Sequence, residues 1–283
     1  MAADVRIVSE ADRGRIIVVD SVTHCNASIA PTDVIVAGSF AGAISLGFLP
    51  DSGVRALVAH EAGPGKDAAG ISGLAVADTL GLPAAAVATM SARLGDGASV
   101  FADGVIAHAN AIAEHRGVRR GMTAADAARA LLEAPPGRGL ARGPIDRHQR
   151  VVCEAPHGRI VLVGSTSFAT PANRHDVLCA GSHGGRVNTR PLLAVGPRGV
   201  ITSDGGMARD RSGADGLPIL EAAGIAAATV DGMSARIGDP ESLWETGAVS
   251  AINDLAARAG VKLGQPAREA ARLLLDWSRP SRR

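Results

Sequence analysis

Tyrosine is absent from this 283-residue chain, aromatic residues make up only 2% of it, and there are just three cysteines. So few aromatic faces leave little on which bases or sugars could stack, and a ligand would be held by hydrogen bonds and charge instead. Cys25, Cys153 and Cys179 form an odd set without zinc-type spacing, which argues against a disulfide framework and against a structural metal site. At least two of them read as ordinary buried thiols. Neither sign of charge is in excess: the formal net charge is +1 with 20% charged residues. That balance offers no basic surface for nucleic acid and no acidic solvating segment. Long apolar runs are missing too, since no uninterrupted stretch approaches the roughly 20 residues that span a bilayer. The opening MAADVRIVSEADRGR carries no apolar core behind a basic start. The expectation is a cytoplasmic protein with neither membrane nor nucleic acid as partner.

What is present is repetition. MSARLGD at Met90 to Asp96 returns as MSARIGD at Met233 to Asp239, so that Ser91 and Ser234 lie 143 residues apart. The same offset lays DVIVAGSFAG (Asp33 to Gly42) on DVLCAGSHGG (Asp176 to Gly185), Asp67 on Asp210, Gly70 on Gly213, and Asn110 on Asn253. The strands RIIVVD and RIVLVG match at an offset of 144, which puts a one-residue insertion in the loop after them. Near APPGRGLARGP, proline, glycine and arginine accumulate and apolar periodicity stops. We therefore divide the chain into a first repeat at 1–134, a linker at 135–157 and a second repeat at 158–283.

Within each half, β-branched apolar runs alternate with glycine-bearing loops and helical stretches. This predicts an α/β fold: a tandem duplication, each half a mostly parallel sheet covered by helices, the halves related by a pseudo-twofold. Helices are expected over Asp67–Leu80, Gly104–His115 and Ala124–Leu132, with Asn110 and Asn253 falling mid-helix. In open parallel sheets ligands collect at the carboxyl ends of the strands. The repeated residues are mostly loop residues at those ends, which is where the functional argument rests.

Four segments carry candidate chemistry. HEAGPGKDAAG (His60 to Gly70) sets glycines and Lys66 before an expected helix, a place where backbone N–H groups bind an anion; Asp67 in place of Ser/Thr excludes a Walker A loop. AGSHGG (Ala180 to Gly185) offers turn amides at Gly184 for an oxyanion, with Ser182 and His183 beside them. SARLGD and SARIGD hold Arg93 and Arg236, each able to clamp a carboxylate or to pair with the nearby Asp96 or Asp239. In SVTHCNAS, Cys25 is a candidate nucleophile.

Lys66 of GKD survives only in the first half and His183 of GSHGG only in the second. Two independent sites would each keep a full set, so the split predicts one composite site. It would draw Lys66, Asp67 and Glu61 from one half and Ser182 and His183 from the other. His183, Lys66, Asp67 and Ser182 are the expected catalytic residues, and Arg93, Arg236, Glu61, Ser39 and Gly184 the expected substrate contacts, with no cofactor and no metal. The leading functional expectation is a hydrolase of a small amide or cyclic amide, acting on an anionic, carboxylate- or amide-bearing metabolite. The same groups would serve an isomerase, racemase or lyase with Cys25 or His183 as base. A non-catalytic protein that binds a small anion is the alternative from another class. Self-association is compatible with an internal duplication but not demanded by it.

Overall fold

The computed structural model of the chain describes residues 5–139 and 145–277. Residues 140–144, within the stretch read as the join, lie outside them. The chain forms two compact units. The first takes the chain up to Ile145 together with Gly206–Gly213, and the second takes Asp146–Gly205 together with the chain from Ala214 onward. A piece of the second repeat is therefore part of the first unit.

The first unit is built as β1 (Val5–Ala11), β2 (Gly14–Val19), β3 (Val34–Phe40), α1 (Ala43–Leu46), β4 (Ala56–His60), α2 (Gly73–Thr79), β5 (Ala84–Val87), α3 (Gly97–Asp103), β6 (Ile106–Ala109), α4 (Ala111–His115) and α5 (Ala124–Leu131). Its sheet runs in chain order from β1 to β6. The inner strands β2 to β5 are parallel, and β1 and β6 pair antiparallel at the two edges. Strand side chains alternate between two apolar layers. Ile16, Val18, Val34, Val36 and Val58 pack with α3 and α5 on one face, while Ile17, Val19, Ile35, Leu57 and Ala86 pack with α1 and α2 on the other. Burial on both faces is what makes these strands continuous apolar runs.

The second unit repeats this plan with β7 (Gln149–Ala155), β8 (Gly158–Val163), β9 (Val177–His183), α6 (Thr189–Val195), β10 (Gly199–Ser203), α7 (Leu217–Ala222), β11 (Ala226–Val230), α8 (Pro240–Thr246), β12 (Val249–Ile252), α9 (Asp254–Arg258) and α10 (Ala267–Asp276), and its sheet again runs in chain order. The α/β duplication read from the sequence is thus present as two six-stranded, mostly parallel sheets with helices on both faces.

Three local expectations are corrected. The stretch Gly104–His115 is not one helix, because strand β6 and a new helix start intervene. The stretch Asp67–Leu80 divides into a 3-10 turn at Lys66–Ile71 and helix α2. Residues 135–157 are not all linker, since β7 lies among them and pairs with β8.

Asn110 and Asn253 sit at helix starts rather than inside helices. Asn110 Oδ1 accepts from the N–H groups of Ala113 (2.9 Å) and Ala84 (3.0 Å), and its Nδ2 donates to the Leu82 carbonyl (2.8 Å). Asn253 makes the same three bonds to Ala256, Ala227 and Ile225. Each asparagine both caps a helix and pins it to the start of a strand, which is a structural reason for its repetition.

At the amino ends of the strands, Arg15 grips the fully buried Asp33 at 2.9 and 2.6 Å, and Arg159 grips Asp176 at 3.0 and 2.7 Å. These pairs lie at the end of each sheet opposite the candidate chemistry.

Candidate functional site

The repeated SAR-x-GD segment is first of all a docked turn. Gly95 N donates to the Gly38 carbonyl at 2.8 Å, and Gly238 N to Gly181 at 2.8 Å. A Cβ on Gly38 would fall 2.4 Å from Asp96 N, and one on Gly181 would fall 2.8 Å from the Gly164 carbonyl, so both positions require glycine for close approach. Asp96 and Asp239 cap α3 and α8 by accepting from Ser99 N and Ser242 N. Ser91 Oγ accepts from Val105 N, and Ser234 Oγ from Ala248 N.

Each arginine also makes ion pairs. Arg236 holds Asp239 at 2.8 and 2.9 Å. Arg93 reaches Asp210 at 3.0 Å, with Asp96 at 3.8 Å. Asp210 belongs to Gly206–Gly213, the piece of the second repeat that joins the first unit. From the same piece Ser212 Oγ accepts from Leu94 N at 2.8 Å, while Arg209 contacts the Ser91 carbonyl at 3.2 Å and Asp103 at 3.1 Å. Residues of both repeats thus meet inside the first unit, and the repeated motif is their anchor.

Backbone strain concentrates in the same place. Among the described residues, the non-glycine residues with positive φ are Ala62, Asp67, Ala68, Met207, Ala208, Asp210 and Arg211. All lie in two equivalent loops that follow β4 and β10, and both loops belong to the first unit. The loops touch, since a Cβ on Gly206 would fall 2.8 Å from Gly63 Cα. A left-handed conformation costs a non-glycine residue roughly 1 to 2 kcal/mol. Strain of this kind persists where the surroundings enforce it, and it clusters at functional sites. Asp67 has φ 55° within the 3-10 turn and leaves α2 to begin beyond it.

At the root of the first loop stands Glu61. One carboxylate oxygen, Oε1, accepts from both the backbone N–H and the hydroxyl of Thr89, each at 2.7 Å. Thr89 Oγ1 in turn accepts from Gly63 N at 2.7 Å, which ties the carboxylate to the strained loop. The other oxygen, Oε2, lies 3.3 Å from His108 Nε2; the Glu61 side chain is 11% exposed and that of His108 38%. The second unit has Asp204, Gly232 and Ala251 in the equivalent positions, so the pair exists only in the first. Sequence reading found Glu61 because its loop recurs. It missed His108, which stands on a short alanine-rich strand that reads as helix.

His60 is a clamp. Its Nδ1 accepts from Ala62 N at 2.9 Å, which leaves Nε2–H to donate to the Ala92 carbonyl at 3.1 Å. Complete burial lowers its pKa below the usual histidine value and favours the neutral ring. One side chain thereby holds both the strained loop and the SAR turn.

The other candidates fall as follows. Lys66 and Asp67 lie in the first strained loop, with Lys66 half-buried and Asp67 exposed. Ser39 Oγ accepts from Val22 N at 2.9 Å and Ser182 Oγ from Thr166 N at 3.0 Å, an identical loop-fixing duty in each repeat. His183 and Gly184 lie at the end of β9 in the second unit, where His183 Nδ1 accepts from Gly185 N at 3.1 Å. Burial pushes the Cys25 thiol up to about 12, so it is protonated at neutral pH and a poor nucleophile or base. Among the described residues no group of three or more His, Cys, Asp or Glu is arranged to hold a metal ion, and no helix is long and apolar enough to cross a membrane. Compared with known families, curated proteins and solved structures, the chain matches none.

Proposed function

We propose that the chain is an acid–base enzyme that hydrolyses a small, anionic, amide- or carboxylate-bearing metabolite, with its chemistry at Glu61 and His108 in the first unit. The observation that carries this reading is the Glu61 carboxylate, fixed at one oxygen by Thr89 and set 3.3 Å from His108 at the other. A carboxylate on Nε2 holds the imidazole in the tautomer whose Nδ1 is unprotonated. Nδ1 has no hydrogen-bond partner among the described residues, and the ring is partly open to solvent. It takes the proton of an attacking water and passes it to the leaving nitrogen. The left-handed loop bearing Lys66 supplies backbone dipoles and a cation for the substrate's anionic group or the developing oxyanion. Arg93 pairs with Asp210 and Arg209 with Asp103, so side chains of both repeats are joined within the first unit.

The test is a panel of small amides, cyclic amides and their carboxylate analogues, assayed for ammonia release or ring opening. A turned-over compound should lose about 10²- to 10⁴-fold in rate in Glu61→Gln and in His108→Gln. Turnover unchanged in both variants would refute the assignment. A non-catalytic anion-binding protein is the second reading, and the strained Lys66 loop favours it; it requires saturable binding without turnover of any bound compound.

A further inference from the structure

The two strained loops of the first unit meet at a pair of equivalent glycines. Gly206 is the second repeat's copy of Gly63, at the repeat offset of 143. The two lie backbone to backbone: a Cβ on Gly206 would fall 2.8 Å from Gly63 Cα, 3.2 Å from Gly63 N and 3.5 Å from the Ala62 carbonyl oxygen. Gly206 also has φ 68°, so both its conformation and its surroundings call for glycine.

Neither side of this contact can give way freely. Gly206 opens the segment Gly206–Gly213, which is held to the first unit at three points. Ser212 Oγ accepts from Leu94 N at 2.8 Å, Asp210 pairs with Arg93 at 3.0 Å, and Arg209 lies 3.1 Å from Asp103. On the other side, Ala62 N donates to His60 Nδ1 at 2.9 Å and Gly63 N to Thr89 Oγ1 at 2.7 Å. Thr89 Oγ1 donates its own proton to Glu61 Oε1 at 2.7 Å, and Glu61 Oε2 faces His108 Nε2 at 3.3 Å. A displacement of Gly63 therefore reaches the carboxylate through a single hydroxyl, with only the stiff, β-branched side chain of Thr89 between them.

We propose that Gly206 is a positioning residue for the Glu61–His108 pair, so that the second repeat controls the geometry of the site in the first unit. Resting against Gly63 with no side chain of its own, it lets Gly63 N, Thr89 Oγ1 and Glu61 Oε1 stay within hydrogen-bond reach of one another. A side chain at this position would displace Gly63 and, through Thr89, turn the carboxylate relative to the imidazole. The functional half of this inference rests on Glu61 and His108 carrying the chemistry, whereas the mechanical link from Gly206 to Glu61 does not.

The test compares Gly206→Ala with Gly81→Ala. Gly81 has φ 69° in the same unit but no atom within 4 Å of its Cβ position, so both substitutions carry the same backbone penalty and only one carries the clash. Amide NMR of the full chain reads the link without any substrate. In Gly206→Ala the Gly63 and Thr89 amide resonances should move, the Thr89 proton upfield as its bond to the carboxylate lengthens; in Gly81→Ala both should stay in place. On a compound that the wild type turns over, Gly206→Ala should lose about ten- to hundredfold in kcat with KM unchanged. Resonances that stay in place in Gly206→Ala, or that move as far in Gly81→Ala, would overturn the proposal. Should Gly206→Ala fail to fold, the same criterion applies to Ser212→Ala, which removes the acceptor of Leu94 N and so loosens the segment. Moved resonances with kcat unchanged would uphold the link from Gly206 to Glu61 and overturn instead the assignment of chemistry to Glu61 and His108.

Discussion

Replacing Asn110 by alanine tests whether the repeated asparagines are structural pins. The substitution strips the partner from the Ala84 and Ala113 N–H groups and from the Leu82 carbonyl, all in a region with little access to water. Loss of a helix cap alone costs about 1 kcal/mol. Stranding the strand-start N–H and carbonyl adds about 1 to 3 kcal/mol after partial relief by water. We expect a total near 3 kcal/mol, which for a protein of this size lowers the melting temperature by about 10 °C. Asn110→Asp keeps the acceptor and loses the donor, so it should fall between wild type and Asn110→Ala. Asn253→Ala is the internal replicate. Urea denaturation followed by circular dichroism gives the global figure, and hydrogen exchange at the amides of Ala84 and Ala113 gives the local one. A loss below about 1 kcal/mol, with both amides still protected, would refute the pin.

Three further expectations follow from the same geometry. Gly38→Ala drives a Cβ into the backbone of Asp96, Gly95 and Asp20; a cost of about 1 to 3 kcal/mol and displacement of the Arg93 turn are expected, visible as amide shifts over residues 93–97. The pKa of buried His60 is lowered, so the folded protein resists a proton that the unfolded chain accepts near pH 6.5. Stability from this group is then full above about pH 6.5 and falls away as the pH drops toward the lowered value; His60→Gln should show a flatter urea midpoint over that window, and equal slopes would contradict the burial argument. Cys25 and Cys179, both pushed up to about 12, should resist iodoacetamide at pH 8 in the folded protein and react once it is unfolded, with mass spectrometry reporting each site.

Much of this architecture is legible in the sequence because duplication writes it twice. The apolar runs at Arg15 to Asp20 and Asp33 to Gly42 are buried on both faces, and that burial makes them stand out as strands. The glycines of AGS and GD recur because two backbones meet there. What misled was alanine. In GVIAHANAIAEH the residues flanking His108 favour helix, and a four-residue strand is too short to assert a period of two against them. Pairing of Ala86 with His108 across β5 and β6 overrides local preference. Read as a cap, Asn110 would have marked the helix start and released His108 from the helix. Nor does linear order disclose that Gly206–Gly213 joins the first unit, since that depends on the partners Arg93, Leu94 and Ser91 supply. Glu61 and Lys66 were found because they belong to a glycine-rich loop that recurs, whereas no motif in the linear pattern marks His60 and Thr89 as the side chains that hold that loop.

The most direct test of the central claim separates binding from chemistry at the first unit. Small carboxylates, amides and lactams would be screened by thermal shift, where a ligand at 100 times its Kd adds about 2.7 kcal/mol of stability. The hit would then be measured for KM and kcat in the wild type, Lys66→Ala and Glu61→Gln. The account predicts that Lys66→Ala loses the shift and raises KM, while Glu61→Gln keeps the shift and loses kcat. A shift and turnover that survive both substitutions would place the site elsewhere and contradict the account.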